Sequence, residues 1–212
     1  PALGGWLQMD ALGLVFLSIA SGLFFLSSIY AVGYLNREVT ETRSPRSDFV
    51  VGVLFSNFPE RIFVGCMLLF LAAMTLVTLS QNMGLLWVAV EATTLASAPL
   101  IYFHRHHRSL EATWKYLLLC SVGIALALLG TFFLLASASG EGTGRASSLV
   151  LGDLIAAGGG LQPQWLKAAF LLLLVGYGTK MGLAPMHTWL PDAHSESPSL
   201  VSALMSGALL NV

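Results

Sequence analysis

The 212 residues are 56% hydrophobic and only 10% charged, with a mean hydropathy of +0.77. Soluble domains carry about 25% charged residues, so the composition excludes an ordinary water-soluble domain and implies an integral membrane protein. A formal net charge of -1 gives no electrostatic case for a nucleic-acid partner or an anionic surface.

The chain opens on Pro1 and stops inside the apolar "SALMSGALLNV". Residues 1–212 are therefore expected to form a single transmembrane domain, cut from a longer protein at both ends. The first apolar run has no basic n-region and is too long for the core of a signal peptide. A spanning helix needs about 20 mostly apolar residues. Ala11 to Asn36, free of Asp, Glu, Lys and Arg, supplies the first. The second runs from about Ile62 to Ser80, and after the turn "QNMG" the third is "LLWVAVEATTLASAPLIYF", interrupted by Glu91. The fourth begins at Tyr116 with "YLLLCSVGIALALLGTFFLLASA". A Gly- and Ser-rich connector leads to the fifth, from Trp165 through Lys180 toward Trp189, and a sixth starts near Pro198. The expected fold is an all-α polytopic membrane protein with about five full transmembrane helices, the start of a sixth, and one helix broken near Pro185.

Short-loop basic residues set the orientation. Arg37, Arg43, Arg46 and Arg61 follow the first span, and Arg105, Arg108 and Lys115 follow the third, on the same side. Arg145 and Lys167 are on the other. The richer side is expected to be cytoplasmic, in a multi-pass protein of the cell inner membrane. His104, His106 and His107 in "HRHHRSLE" then read as a solvated loop on that side. Cys66 and Cys120 lie in apolar runs without ligand-like spacing, so neither a metal site nor a disulfide framework is expected.

Two charges sit inside the expected spans. A charge at the bilayer centre costs about 2.5–3.5 kcal/mol on insertion scales. Glu91 lies about seven residues into its helix and Lys180 about fifteen into its own, too deep for a lysine stem to snorkel fully out. If the two approach, each favours the charged form of the other while burial opposes both, so small changes in spacing or hydration would move a proton on or off the lysine. Intramembrane ionisable groups mark ion or proton paths, against the plainer reading of a static pair pinning two helices. Pro185 lacks an N–H and breaks the helix beyond Lys180, and broken helices beside charges are a recurrent way to build transport sites. His187, two residues after Pro185, is placed to pass protons between cytoplasmic water and Lys180. His194, with Asp192 and Glu196, reads first as polar interfacial loop, and Lys115 first as an interfacial anchor, each with a relay role as the alternative.

The strings "VAVEATTLASAPLIYF", "SLEATWKYLLLCSVGIALALLGT" and "GYGTKMGLAPMHTWLPDAHSESPSLVSALMSGALLN" resemble the antiporter-like membrane subunits shared by respiratory complex I, Mrp-type cation/proton antiporters and membrane-bound hydrogenases. The wording is nearest to the F-type subunit of hydrogenase-4. The resemblance implies about fourteen helices in two inverted repeats of about five, each with a discontinuous helix, of which this chain would hold most of the first. It matches Glu91 to the family's modulating glutamate, Lys180 to the protonatable lysine on the broken helix, and His187 and His194 to the histidines of "H-x-W-L-P-D-A-H". Where complex I subunits carry a second lysine, this chain has Asn211, which hydrogen-bonds water but cannot carry the proton. That departure fits the hydrogenase-4-like branch and puts the usual lysine-to-lysine relay in doubt.

The function expected is proton translocation through a half-channel centred on the Lys180–Glu91 pair, with His187 carrying protons beside it and Lys115, His194 and Asn211 as further relay candidates. The chain would be a non-redox subunit of a hydrogenase-4-type or complex I-like oxidoreductase, binding no cofactor and holding no catalytic centre. Its partners would be other membrane subunits, a peripheral hydrogenase or dehydrogenase arm, and the lipid bilayer. The rivals are a Mrp-type Na+/H+ antiporter subunit and a non-conducting scaffold for a peripheral arm.

Overall fold

The computed structural model describes residues 5–42, 59–138, 148–156 and 158–211. Arg43, Arg46 and Arg145, which entered the orientation reading, lie outside them. Eight α-helices follow in order among the described residues: α1 (Ala11–Thr42), α2 (Glu60–Leu79), α3 (Met83–Ile101), α4 (His107–Ala138), α5 (Leu151–Ala156), α6 (Pro163–Lys180), α7 (Trp189–Glu196) and α8 (Ser199–Gly207). Four of them, α1 to α4, are long and apolar enough to cross a membrane. The fifth expected span is divided. Its 18-residue first part is α6, about 27 Å long at helical rise. The chain then leaves the helix and resumes as α7, and the sixth expected span begins as α8.

Local signals explain the ends. The turn "QNMG" closes because Asn82 caps α3, its side-chain oxygen accepting from the N–H groups of Gly84 at 2.9 Å and Leu85 at 3.2 Å. Helix α4 starts at His107, nine residues before its apolar run and inside the stretch expected to be a solvated loop. His106 and Ser109 cap that start reciprocally, Ser109 N–H donating to His106 Nδ1 at 3.0 Å and His106 N–H to Ser109 Oγ at 3.2 Å. At 32 residues, α4 is about 48 Å long against a hydrocarbon core of about 30 Å. Its polar first turns therefore project beyond the lipid.

Helix α4 is the hub, packing along α6, α3 and α7, while α2 bridges α1 and α3 and α8 returns to α1. Large apolar side chains on α1, among them Leu12, Val15, Phe25, Leu26, Ile29 and Val32, point outward and stay exposed, as lipid-facing positions do. Interhelical contact inside lipid depends on close backbone approach between small residues. The α4–α6 seam is built that way. A Cβ on Gly176 would meet Ala127 N and Gly123 O at 2.6 Å, both backbone atoms that cannot swing aside. Gly176→Val is expected to force α6 off α4 and destabilise the fold by about 1–3 kcal/mol, read as a lower melting temperature in detergent. Gly22→Ala, where a Cβ meets nothing within 4 Å, should leave that temperature in place.

Candidate functional site

Lys180 is the last residue of α6, and the local sequence explains why the helix stops there. Gly182 adopts φ +76°, a conformation that glycine takes without Cβ strain. Leu183 N–H donates to Gly178 C=O at 2.8 Å and Gly182 N–H to Thr179 C=O at 3.3 Å, the two bonds of a Schellman stop. The helix is thus broken beside Pro185, but the break begins at Lys180, a turn before proline chemistry requires. Ala184–Pro185 is a cis peptide within the loop that follows. The Trp189 indole N–H, fully buried, also donates to Thr179 C=O at 2.9 Å. It ties the start of α7 to the end of α6.

The lysine side chain is 5% exposed. Its Nζ donates to Thr94 Oγ1 at 2.9 Å and to the Tyr116 hydroxyl at 2.7 Å, and lies 4.8 Å from the centre of the Tyr116 ring. Tyr116 in turn packs on Trp189 with ring centroids 5.0 Å apart. Glu91 is on α3, three residues before Thr94 and so about one turn away on a similar face. Its Oε1 accepts from Ser121 Oγ of α4 at 2.8 Å, while Oε2 is buried without a hydrogen-bond partner. Among the described residues, no ion pair within 4.0 Å joins Glu91 to Lys180. Each is held by hydroxyls instead, Lys180 by Thr94 and Tyr116 and Glu91 by Ser121.

Thr94, Ser97, Tyr116 and Ser121 are residues that sequence reasoning missed. Thr94 carried a usable signal, three residues after an intramembrane glutamate on the same helix. Tyr116 carried none, because it opens an apolar run where an interfacial anchor is the ordinary reading. Beside Lys180 lies a cavity of about 440 Å³, lined by Phe16, Met74, Val77, Thr93 and Tyr177. The Tyr177 hydroxyl is buried there without a partner.

The other expected residues are dispersed. His187 is exposed in the loop between α6 and α7. Lys115 is paired at the surface, with Glu111 Oε1 at 2.8 Å and Asp192 Oδ2 at 2.9 Å, the second bond linking α4 to α7. His194 is half-buried on α7, its Nδ1 2.6 Å from Ser202 Oγ of α8. Burial pushes its imidazole below the usual histidine value. His106 reaches Glu196 at 3.3 Å, a further link from the start of α4 to the end of α7. Asn211 ends a 3-10 turn (Leu209–Asn211), and its side chain lies outside the described part. No group of three or more His, Cys, Asp or Glu residues forms a metal-binding cluster among the described residues.

The fold and sequence of this helical membrane chain resemble those of known proteins. The family described as "NADH:quinone oxidoreductase/Mrp antiporter, TM" matches residues 80–212. The chain belongs to this family. It is 36% identical over 212 residues to the hydrogenase-4 component F homolog of Methylacidiphilum infernorum (isolate V4), covering 99% of this chain and 42% of that protein. With Na(+)/H(+) antiporter subunit A1 of Staphylococcus haemolyticus (strain JCSC1435) it shares 31% identity over 208 residues, 96% of this chain and 22% of that one. A chain of the archaeal membrane-bound sulfane sulfur reductase superposes with a TM-score of 0.71 at 19% identity, covering 92% of this chain and 35% of that chain, a likeness of fold. This antiporter-like membrane chain thus spans less than half the length of these relatives.

Proposed function

We propose that this chain forms a proton half-channel, centred on Lys180 and modulated by Glu91, within a membrane-bound hydrogenase or complex I-like oxidoreductase of the inner membrane. The observation that carries the reading is the setting of Lys180. A lysine 5% exposed is held by two hydroxyls, with no carboxylate in ion-pair contact among the described residues. A structural cation would have a carboxylate against it. Here the nearest candidate, Glu91, is engaged with Ser121. Redox energy released in partner subunits would shift the distance or hydration between Glu91 and Lys180, moving the lysine between protonated and neutral forms. His187, exposed beyond the break, passes the proton to or from water.

The test is proton uptake by inverted vesicles bearing the complete complex, wild type against Lys180→Met, with electron transfer assayed in parallel. Uptake should be lost in the variant while the complex remains assembled. Unchanged uptake per electron would overturn the proposal and favour the scaffold. Sodium-dependent exchange without electron flow would favour the Mrp-type reading, under which the same relatives include an antiporter subunit.

A further inference from the structure

We propose that the Tyr116 hydroxyl is a two-state partner of Lys180, donating to Ser97 while the lysine is charged and turning to donate to the lysine when it is neutral. The inference rests on the proton-carrier reading of Lys180 and deepens it by naming the group that accommodates both forms.

A count of donors leads to it. A lysine ammonium has three N–H donors and no acceptor, and a tyrosine hydroxyl has one O–H and two lone pairs. With Lys180 charged, its N–H groups go to Thr94 Oγ1 and the Tyr116 oxygen. The tyrosine proton must then point elsewhere. Ser97 Oγ is 2.7 Å away, and either oxygen of that pair can be the donor. Ser97 in turn reaches the backbone carbonyls of Thr93 at 2.7 Å and Thr94 at 3.1 Å. The result is a row of O–H bonds directed away from the charge and ending on carbonyls that accept only.

Loss of the proton reverses the demand. The neutral amine has a lone pair, and leaving it unbonded in a buried site is costly. Tyr116 meets the demand by rotating its O–H through one C–O torsion toward Nζ. Ser97 can then turn its own proton onto the lone pair that Tyr116 exposes, so no buried hydroxyl is stranded. No covalent bond to hydrogen breaks in this exchange. Thr94 is the other hydroxyl in reach, but a phenol is a stronger donor than an alcohol, and Tyr116 is the closer at 2.7 Å against 2.9 Å. Tyr116 is also fixed in place, with no exposed surface and Trp189 against its ring. Both orientations therefore start from one ring position.

Tyr116→Phe in the complete membrane complex tests this, because phenylalanine keeps the ring beside Lys180 and Trp189 and removes only the hydroxyl. Proton uptake is expected to fall about tenfold, the scale of losing one hydrogen bond to a charged group, with the complex still assembled. A pH-jump infrared difference spectrum should show one tyrosine C–O band changing hydrogen-bond state in the wild type, and that band should vanish in both Tyr116→Phe and Lys180→Met. If Lys180→Met abolishes uptake but Tyr116→Phe pumps at the wild-type rate and the wild type shows no such band, the inference fails and the carrier reading stands. If Lys180→Met pumps normally, both fall together.

Discussion

Lys180→Met should raise the thermal stability of the detergent-solubilised protein, by about 1–3 kcal/mol, while abolishing proton uptake. The two effects have one cause. Replacing buried charge by an apolar side chain of similar volume is often neutral or stabilising, because the desolvation cost of the ion disappears. Methionine has the unbranched shape of lysine and no polar atom that demands a partner. Its introduction strands no donor, since the Tyr116 O–H retains Ser97 at 2.7 Å and Thr94 Oγ1 retains the Val90 carbonyl at 3.3 Å. A melting curve recorded beside the vesicle assay separates the two readings of the lysine. Stability gained with transport lost identifies a charge kept for function at a cost to the fold. A variant that melts several degrees lower identifies a structural cation, and the scaffold reading then takes precedence.

Most of the helical order was legible because lipid demands long apolar runs, and those runs are visible one at a time. The first three spans begin and end within a few residues of α1, α2 and α3 where the apolar run itself defines them, although α1 continues past Asn36 to Thr42. The start of α4 was not legible, because its first turns are polar. What fixes His107 as the beginning is a His106–Ser109 cap that hydropathy cannot register. The break in the fifth span is expected near Pro185, the residue that removes a donor, and it lies there. Its first residue is set by Gly182, which supplies the left-handed turn right after Lys180. A glycine two residues past a charged helix end is a recognised stop signal, and it was present in "TKMGLAP".

The site was half legible for a related reason. Charges in an apolar run announce themselves through their cost, so Glu91 and Lys180 stood out. Hydroxyls do not, because in membrane helices they satisfy themselves on the carbonyl three or four residues back, as Thr75, Thr131 and Thr179 do here. Which hydroxyls instead face a charge depends on how α3, α4 and α6 pack. The Gly176 contact with Gly123 and Ala127 brings α6 close enough to α4 for Lys180 to reach Tyr116. Small residues that looked like ordinary membrane packing are therefore what carries the lysine to its partners.

Glu91→Gln is expected to slow proton uptake at least tenfold without dismantling the site. Glutamine keeps the side-chain length, and its amide oxygen can still accept from Ser121 as Oε1 does at 2.8 Å. What it removes is charge. Glu91 makes no ion pair with Lys180 within 4.0 Å, so its influence acts through space rather than by contact. Even at about 10 Å, two opposite unit charges attract by about 1.7 kcal/mol at an effective dielectric near 20, which is worth more than tenfold in a proton equilibrium. Ser121→Ala leaves that charge in place and takes away one hydrogen bond, so its effect on uptake should be the smaller of the two. The order of the two variants is decisive. If Ser121→Ala is as damaging as Glu91→Gln, then Glu91 serves by holding α3 to α4, and the electrostatic coupling to Lys180 is not what the carboxylate supplies.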